Sequence, residues 1–149
     1  VDRFIEVARR ILEEEIGIPI ILWGPGERDM AVRISDEIEG AVMIPGVGIE
    51  KLGAIISKLD MVVGVDSGPK HIAVLLGVPS VTLFGPTDPE IWDPNTELHR
   101  VVYRNLNCSP CKRKRCVPNN CMLEISPEDV LEEIVTLFET MDRGKVYGG

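Results

Sequence analysis

The sequence lacks several features that define whole classes of protein. It has no run of the ~20 apolar residues that a membrane-spanning helix needs, and no signal-peptide pattern. Its 16 basic residues are outnumbered by 24 acidic ones, giving a net charge of -8, so it lacks the basic face of a general nucleic-acid binder. Its four cysteines are too few for a disulfide scaffold. These absences favour an ordinary globular protein that does not bind nucleic acid.

The length is that of one domain. A chain of 149 residues can bury one sizeable core, and nothing in its composition marks a second domain. It starts at Val1, without an initiator methionine, and opens directly on a helical pattern. We therefore expect one domain over residues 1–149, taken from a longer protein.

Helical and strand patterns alternate along the chain. Apolar residues at helical spacing predict helices at 1–16, 27–38, 49–59, 69–76 and 127–141. Short apolar runs predict strands at 19–23, 42–44, 61–65, 80–84 and 99–103. Ser126, followed by proline and acidic residues, is expected to cap the last helix. The alternation predicts an α/β fold with a Rossmann-like parallel sheet and flanking helices.

Residues 62–87 are the most informative part of the chain. An apolar strand runs into the sequence DSGPKH at 66–71, and the next apolar strand ends in GPT at 85–87. Open α/β sheets bind ligands at the carboxyl ends of their parallel strands. We therefore expect a binding site formed by these two polar stretches.

The stretch at 66–71, called turn 66–71 below, suits a phosphate group. A helix that starts directly after a strand offers free backbone N-H groups and a favourable dipole. Gly68 lets the backbone approach a phosphate closely, and the Ser67 hydroxyl can donate to phosphate or cap the helix. His71 can donate to the same phosphate. The alternatives are an ordinary capped turn and a histidine bonded to a nearby carbonyl.

The other two charged residues of turn 66–71 are assigned differently. Asp66 closes an apolar strand, where a lone carboxylate is costly unless hydrogen bonds compensate it. It either organises the turn or binds the hydroxyls of a sugar. Lys70 is expected to point into solvent, as a lysine in a first helical turn usually does, and is left out of the site.

Two further residues complete the site as read from the residues alone. Glu27 follows a Gly-Pro-Gly turn and is placed to accept hydrogen bonds from ribose hydroxyls, unless it is only a solvated helix residue. Thr87 follows the second strand, where it can bond phosphate or sugar, unless the turn merely reverses the chain.

Residues 62–94 resemble the signature of glycosyltransferase family 9, the ADP-heptose:lipopolysaccharide heptosyltransferases. The resemblance extends to WGPGE at 23–27, PGVG at 45–48, the four cysteines and the helix start at 125–128. It implies that Val47 contacts adenine and that His71 stabilises the departing diphosphate. Lys70 and Trp23 depart from the family pattern near the nucleotide, which bears on substrate identity more than on fold.

The resemblance also implies an architecture and an activity. Family members have the two-domain GT-B arrangement, and this chain resembles the C-terminal, donor-binding half, with the N-terminal acceptor domain absent. They transfer heptose from ADP-heptose to the lipopolysaccharide inner core without a metal or other cofactor, at the cytoplasmic face of the inner membrane, where the full enzyme can touch the membrane peripherally. The catalytic base is expected in the missing domain, so we assign no catalytic residue here and expect the fragment alone to be inactive. The alternatives are a GT-B domain for another nucleotide-sugar and a non-catalytic nucleotide-binding module.

The cysteine segment, residues 104–124, is the one long stretch predicted to be irregular. It carries Cys108, Cys111, Cys116 and Cys121, which could hold a structural zinc ion, form two disulfides or bind an iron-sulfur cluster. A basic cluster at 112–115 either faces the anionic lipopolysaccharide core or is solvated.

Overall fold

A computed structural model gives the fold of residues 1–111 and 116–147. The chain divides into two compact units, Val1–Gly48 and Ile49–Gly149. Both are built from parallel strands and helices, as the alternating pattern predicts.

The first unit contains two helices and two short strands: α1 (Asp2–Glu13), β1 (Ile20–Ile21), α2 (Arg28–Glu37) and β2 (Val42–Met43). β1 and β2 pair in parallel, with Ile20 opposite Val42. The residues buried in this unit are apolar: Ile5, Val7, Ile21, Ala31 and Ile38. Those on α1 and α2 lie within the segments 1–16 and 27–38 that the sequence predicts to be helical.

The second unit holds the remaining elements, which are α3 (Ile49–Ile56), β3 (Val62–Val65), α4 (Gly68–Leu76), β4 (Ser80–Phe84), α5 (Pro89–Trp92), β5 (His99–Tyr103), α6 (Asn120–Leu123) and α7 (Pro127–Tyr147). Its three strands form a parallel sheet in the order β3-β4-β5. Val65 lies opposite Leu83, and Phe84 lies opposite Tyr103. The carboxyl ends of β3 and β4 are therefore neighbours.

β4 forms the centre of this sheet. All five of its residues are buried, because β3 and β5 pair with its two edges and helices pack against it. A strand covered on both faces has a continuous apolar sequence, and SVTLF differs from that only at Ser80 and Thr82. Ser80 finds a partner in His99, whose Nδ1 lies 2.9 Å from the Ser80 hydroxyl.

The last helix begins as the sequence predicts. The Asp129 N-H donates to the Ser126 hydroxyl over 3.2 Å, and the Ser126 N-H donates to the Asp129 carboxylate over 2.7 Å. This reciprocal pair is a capping box with aspartate in the place of the usual glutamate. The prediction of Ser126 as the cap is confirmed.

Two short helices were not predicted, α5 and α6. α5 is capped by Asp88, whose carboxylate accepts a 3.0 Å hydrogen bond from the Glu90 N-H. α6 lies within the cysteine segment, so the expectation that this whole segment is irregular is wrong for those four residues. Four-residue helices are too short to produce a periodic apolar pattern in the sequence. Among the residues described, no helix combines the length and the hydropathy that a membrane crossing requires.

Candidate functional site

Turn 66–71 presents an open helix N-terminus at the end of β3. Ser67 is the N-cap of α4 and has an extended backbone (φ -156°, ψ 175°), but its side chain makes no capping hydrogen bond. Pro69 occupies the first turn, where its missing N-H costs nothing. Because the hydroxyl of Ser67 does not cap the helix, it is available to a ligand together with the first N-H groups of α4.

Gly68 has no packing reason to be glycine. It is exposed, its φ lies outside the left-handed region, and a Cβ added there would meet no atom of the chain within 4 Å. The chain itself would therefore tolerate a side chain at this position. Free space directly above a helix N-terminus is what a close-lying phosphate needs.

Asp66 and His71 are brought together by the first turn of α4. The His71 Nε2 lies 3.4 Å from the Asp66 Oδ1, and the Asp66 side chain is only 10% exposed. Asp66 also extends the sheet beyond β3, because its N-H donates to the Leu83 carbonyl over 3.3 Å. The His71 side chain remains 44% exposed, so it contacts the carboxylate and solvent at once.

The structure corrects the expectation that Lys70 points into solvent. Its side chain is 2% exposed, and its ammonium group donates to the Trp92 carbonyl. The signal that sequence reasoning missed is the spacing of Asp66 and Lys70, which are four residues apart at a helix start. Lys70 thus belongs to the interior of turn 66–71.

Thr87 follows β4 in a turn that the cysteine segment holds in place. The Ser109 hydroxyl donates to the Gly85 carbonyl over 2.5 Å, and the Cys111 N-H donates to the Pro86 carbonyl over 2.8 Å. By strand register, this turn is the neighbour of turn 66–71. The two polar stretches predicted to form one site therefore follow neighbouring strand ends.

Glu27 lies in the first unit, where part of its carboxylate serves its own turn. The Gly24 N-H donates to the Glu27 Oε2 over 2.8 Å, and the Glu27 N-H donates back to the Gly24 carbonyl over 3.1 Å. The side chain is exposed. Glu27 thus closes the turn at the start of α2.

Trp23 positions the loop that carries Val47. Its indole N-H donates to the Ile44 carbonyl over 2.8 Å, and its ring lies against Gly46, where an added Cβ would come within 2.7 Å of it. Gly46 is therefore required by this packing. Val47 itself is half-buried in the loop after β2. The residue noted as a departure from the family pattern proves to be the one that orders this loop.

The four cysteines line one cavity of about 300 Å³, together with Pro86 of the turn before Thr87. All four thiols are free, so the alternative of two disulfides is not found. Within residues 1–111 and 116–147, no group of three or more His, Cys, Asp or Glu side chains is arranged to hold a metal ion. The cysteines have the right chemistry for zinc, but their arrangement does not fit a zinc site or an iron-sulfur cluster.

The thiols differ in their surroundings. Cys108 and Cys116 are exposed, whereas Cys121 is 6% exposed. Burial raises the pKa of the Cys121 thiol, and the nearby Cys108 and Cys111 add to the effect. The Cys121 thiol lies 3.0 Å from the Asn119 side-chain oxygen, its hydrogen-bond acceptor. The basic cluster predicted at 112–115 lies outside the described residues.

The parallel α/β units define the class as a Rossmann-like protein, and polar residues follow its strand ends. A family model for glycosyltransferase family 9 (heptosyltransferase) matches residues 1–122. The chain therefore belongs to glycosyltransferase family 9, and the resemblance seen in its motifs is confirmed.

Curated relatives agree with this family assignment. The chain is 28% identical to Pseudomonas aeruginosa lipopolysaccharide heptosyltransferase 1 over 111 residues, which are 74% of this chain and 31% of that protein. It is 35% identical to Campylobacter jejuni lipooligosaccharide heptosyltransferase 2 over 92 residues, which are 60% of this chain and 29% of that protein. The chain thus spans about a third of the length of these relatives.

A solved structure shows the same fold. The structure of E. coli heptosyltransferase WaaC with ADP superposes with a TM-score of 0.70 at 22% identity, covering 89% of this chain and 38% of that one. The predicted Rossmann-like fold of a GT-B glycosyltransferase is confirmed.

Proposed function

We propose that this chain is the donor-binding domain of a heptosyltransferase, over residues 1–149, and that it binds ADP-heptose. The observation that carries the proposal is the uncapped N-terminus of α4, with the Ser67 hydroxyl unused, free space at Gly68 and His71 one turn further on. Phosphate binds such helix starts because N-H donors and the dipole act together. The ADP in the related WaaC structure makes a diphosphate the natural ligand to test.

The site residues divide between the two parts of the ligand. Ser67, Gly68 and His71 bind the diphosphate, and Thr87 adds a contact from the neighbouring turn. Asp66 orients His71, and its remaining acceptor capacity is available to a sugar hydroxyl. The first unit carries the two other residues proposed from the sequence, Glu27 for a ribose and Val47 for an adenine.

This domain contributes to the transfer reaction by stabilising negative charge. When the glycosidic bond of the donor breaks, negative charge gathers on the departing ADP. N-H groups fixed in advance toward that charge stabilise the transition state more than the ground state. The helix start and His71 supply this stabilisation, so we assign no catalytic metal. The structural zinc predicted at the cysteines is not part of the proposal, because the described thiols do not form a metal site.

The rest of the activity is proposed for the whole enzyme. Its acceptor is the lipopolysaccharide inner core, bound by the N-terminal domain that also supplies the catalytic base. Transfer takes place at the cytoplasmic face of the inner membrane, with peripheral membrane contact. We therefore expect this chain alone to bind the donor but not to catalyse transfer of its sugar.

Calorimetric titration with ADP, UDP and GDP tests the proposal. We expect selective ADP binding, weakened about tenfold or more in Ser67→Ala and in His71→Ala, since each removes a hydrogen bond to a charged group. Ser57→Ala is the matched control, because Ser57 is exposed just after α3 and its hydroxyl donates to the Ala54 carbonyl of that helix. Equal binding of all three nucleotides indicates a different donor or a general nucleotide module, and no binding at all contradicts donor binding by this chain.

A further inference from the structure

Lys70 is a charged residue held inside the second unit. Its side chain is 2% exposed, its ammonium group donates to the Trp92 carbonyl, and it lies 5.2 Å from the centre of the Phe84 ring. Lysine is rarely buried unless its charge is paired. The three contacts show what the ammonium group does: it joins the start of α4 to the end of α5, above the last residue of β4.

The paired charge is the carboxylate of Asp66. The Lys70 Nζ lies 3.8 Å from the Asp66 Oδ1, an oxygen that is buried and has no hydrogen-bond partner. A buried carboxylate oxygen without a hydrogen-bond partner depends on nearby positive charge. The other basic group near this oxygen is His71, which is charged only when protonated. Lys70 is thus the residue whose positive charge balances Asp66 when His71 is neutral.

The same ammonium group fixes both neighbours of His71. The His71 ring meets the Trp92 ring edge to face, with centroids 6.0 Å apart and planes at 65°. On its other side, His71 Nε2 lies 3.4 Å from Asp66. Lys70 holds Trp92 through its carbonyl and Asp66 through its charge. The position of His71 is therefore set by two groups that Lys70 ties together.

We propose that Lys70 is a positioning residue for the diphosphate site: it fixes Asp66 and Trp92 and thereby holds His71 in its binding position. The inference rests on the proposed function. Lys70 does not contact the ligand, because its ammonium group is enclosed and already bonded. Its replacement should therefore act on ADP binding through His71.

The test uses Trp92 fluorescence and ADP affinity together. ADP affinity is measured in the natural background, and Trp92 fluorescence is measured on the same variants carrying Trp23→Phe, where Trp92 is the sole tryptophan. In Lys70→Met we expect a fall in Tm of about 10 °C, easier quenching of Trp92 by acrylamide and about tenfold weaker ADP binding. Lys58→Met is the matched control, because Lys58 is exposed in the same unit, and it should change none of the three.

A double-variant cycle separates positioning from a merely structural role. If Lys70 acts through His71, the Lys70→Met/His71→Ala variant binds ADP no more weakly than His71→Ala alone. Additive losses, or unchanged Trp92 quenching in Lys70→Met, overturn the positioning role. Failure of the parent protein to bind ADP overturns the proposed function instead. The quenching of Trp92 does not depend on ADP, so it distinguishes this outcome from failure of the positioning role.

A second variant covers the case in which Lys70→Met does not fold. Asp66→Asn/Lys70→Met removes both buried charges at once, and removing a whole pair is tolerated better than removing one partner. Trp92 should still be quenched more easily than in Asp66→Asn, because the bond to its carbonyl is lost. Equal quenching in these two variants overturns the inference.

Discussion

Turn 66–71 and the cysteine segment both gather chemically active side chains in a short stretch. Among the residues that the structure describes, those of turn 66–71 contact one another, whereas the thiols bond to other groups. In turn 66–71, the Asp66 Oδ1 lies 3.4 Å from the His71 Nε2 and 3.8 Å from the Lys70 Nζ. Lys70 also donates to the Trp92 carbonyl. In the cysteine segment, four thiols line one cavity, yet the hydrogen bonds of Cys116 and Cys121 go to Pro118 and Asn119. Spacing in a sequence predicts which side chains are neighbours, but side chains that act together in a functional site must also contact one another.

The largest effect is expected from breaking the contacts within turn 66–71. Asp66→Asn leaves the Lys70 ammonium group buried without its carboxylate, which should lower the free energy of unfolding by about 3–5 kcal/mol. Urea denaturation measures this change. Asp60→Asn, at an exposed aspartate of the same unit, is the control and should stay within about 0.5 kcal/mol of the parent. A loss below about 1 kcal/mol in Asp66→Asn would show that the pair is not a stabilising contact.

The next effect concerns the place where the cysteine segment packs on β4. A Cβ at Gly85 would come within 2.7 Å of the Met122 sulfur and 3.5 Å of the Cys121 sulfur. Gly85→Ala should therefore cost about 1–3 kcal/mol of unfolding free energy, measured in the same urea series. Gly68→Ala is the matched control for stability, since a Cβ there meets nothing within 4 Å. Equal stability of the two variants would contradict the packing described for Gly85.

Acid should affect His99 and Asp129 in two different pH ranges. Burial lowers the pKa of His99 from 6.5, Asp93 partly opposes this, and the charge of Lys70 adds to the lowering. The unfolded chain then binds more protons than the folded one, so the stability contributed by His99 is present above pH 6.5 and is lost as pH falls through the folded-state pKa. His99→Gln should flatten this part of a plot of unfolding free energy against pH. An unchanged slope in His99→Gln would contradict the assignment.

Asp129, in the first turn of α7 after the cysteine segment, should make the free energy of unfolding depend on pH in a more acidic range. Burial raises the pKa of Asp129, but the Ser126 N-H and Arg104 outweigh it and hold the pKa below 3.8. Arg104 also donates to the Glu124 carbonyl, so this pair fastens both ends of the segment. Stability from Asp129 is present above pH 3.8 and is lost as pH falls through its folded-state pKa. Asp129→Asn should remove the pH dependence of the unfolding free energy in this acidic range and leave that of His99 intact. Loss of both would show that the two groups are coupled.

The smallest effect on the fold is expected from modifying the thiols. Cys108 and Cys116 are exposed and should react first with iodoacetamide in the native protein, followed by Cys111. Cys121 should react last, because it is buried and its raised pKa leaves less thiolate at pH 8. Peptide mass spectrometry over a time course gives the order. Equal protection of all four cysteines, released by a chelator, would point to a bound metal instead.

Much of the fold could be predicted from local sequence. The apolar runs at β3 and β4, the helical pattern of α1 and the Ser126 cap all act over a few residues, and each is found where expected. The two short helices were missed because they contain only one turn. The strand β1 is shorter than its apolar run and covers Ile20–Ile21.

The site could be predicted in part, for a physical reason. Ser67, Gly68 and the helix start follow from backbone geometry, which the strand-to-helix pattern determines locally. The burial of Lys70 does not, because it depends on Trp92 and Phe84, which lie in later elements. The hydrogen bond from Ser109 to Gly85 likewise joins residues 24 positions apart. Contacts of this range are visible only in the folded chain.

The central claim is that turn 66–71 binds the diphosphate of the donor. A two-dimensional amide NMR titration of the assigned protein with ADP tests it most directly, because each N-H group reports on its own surroundings. We expect the largest shifts at the amides of Ser67, Gly68 and His71, smaller shifts at Thr87 and none in α7. Binding of ADP with shifts confined to other residues, or no shifts at all, would contradict the claim.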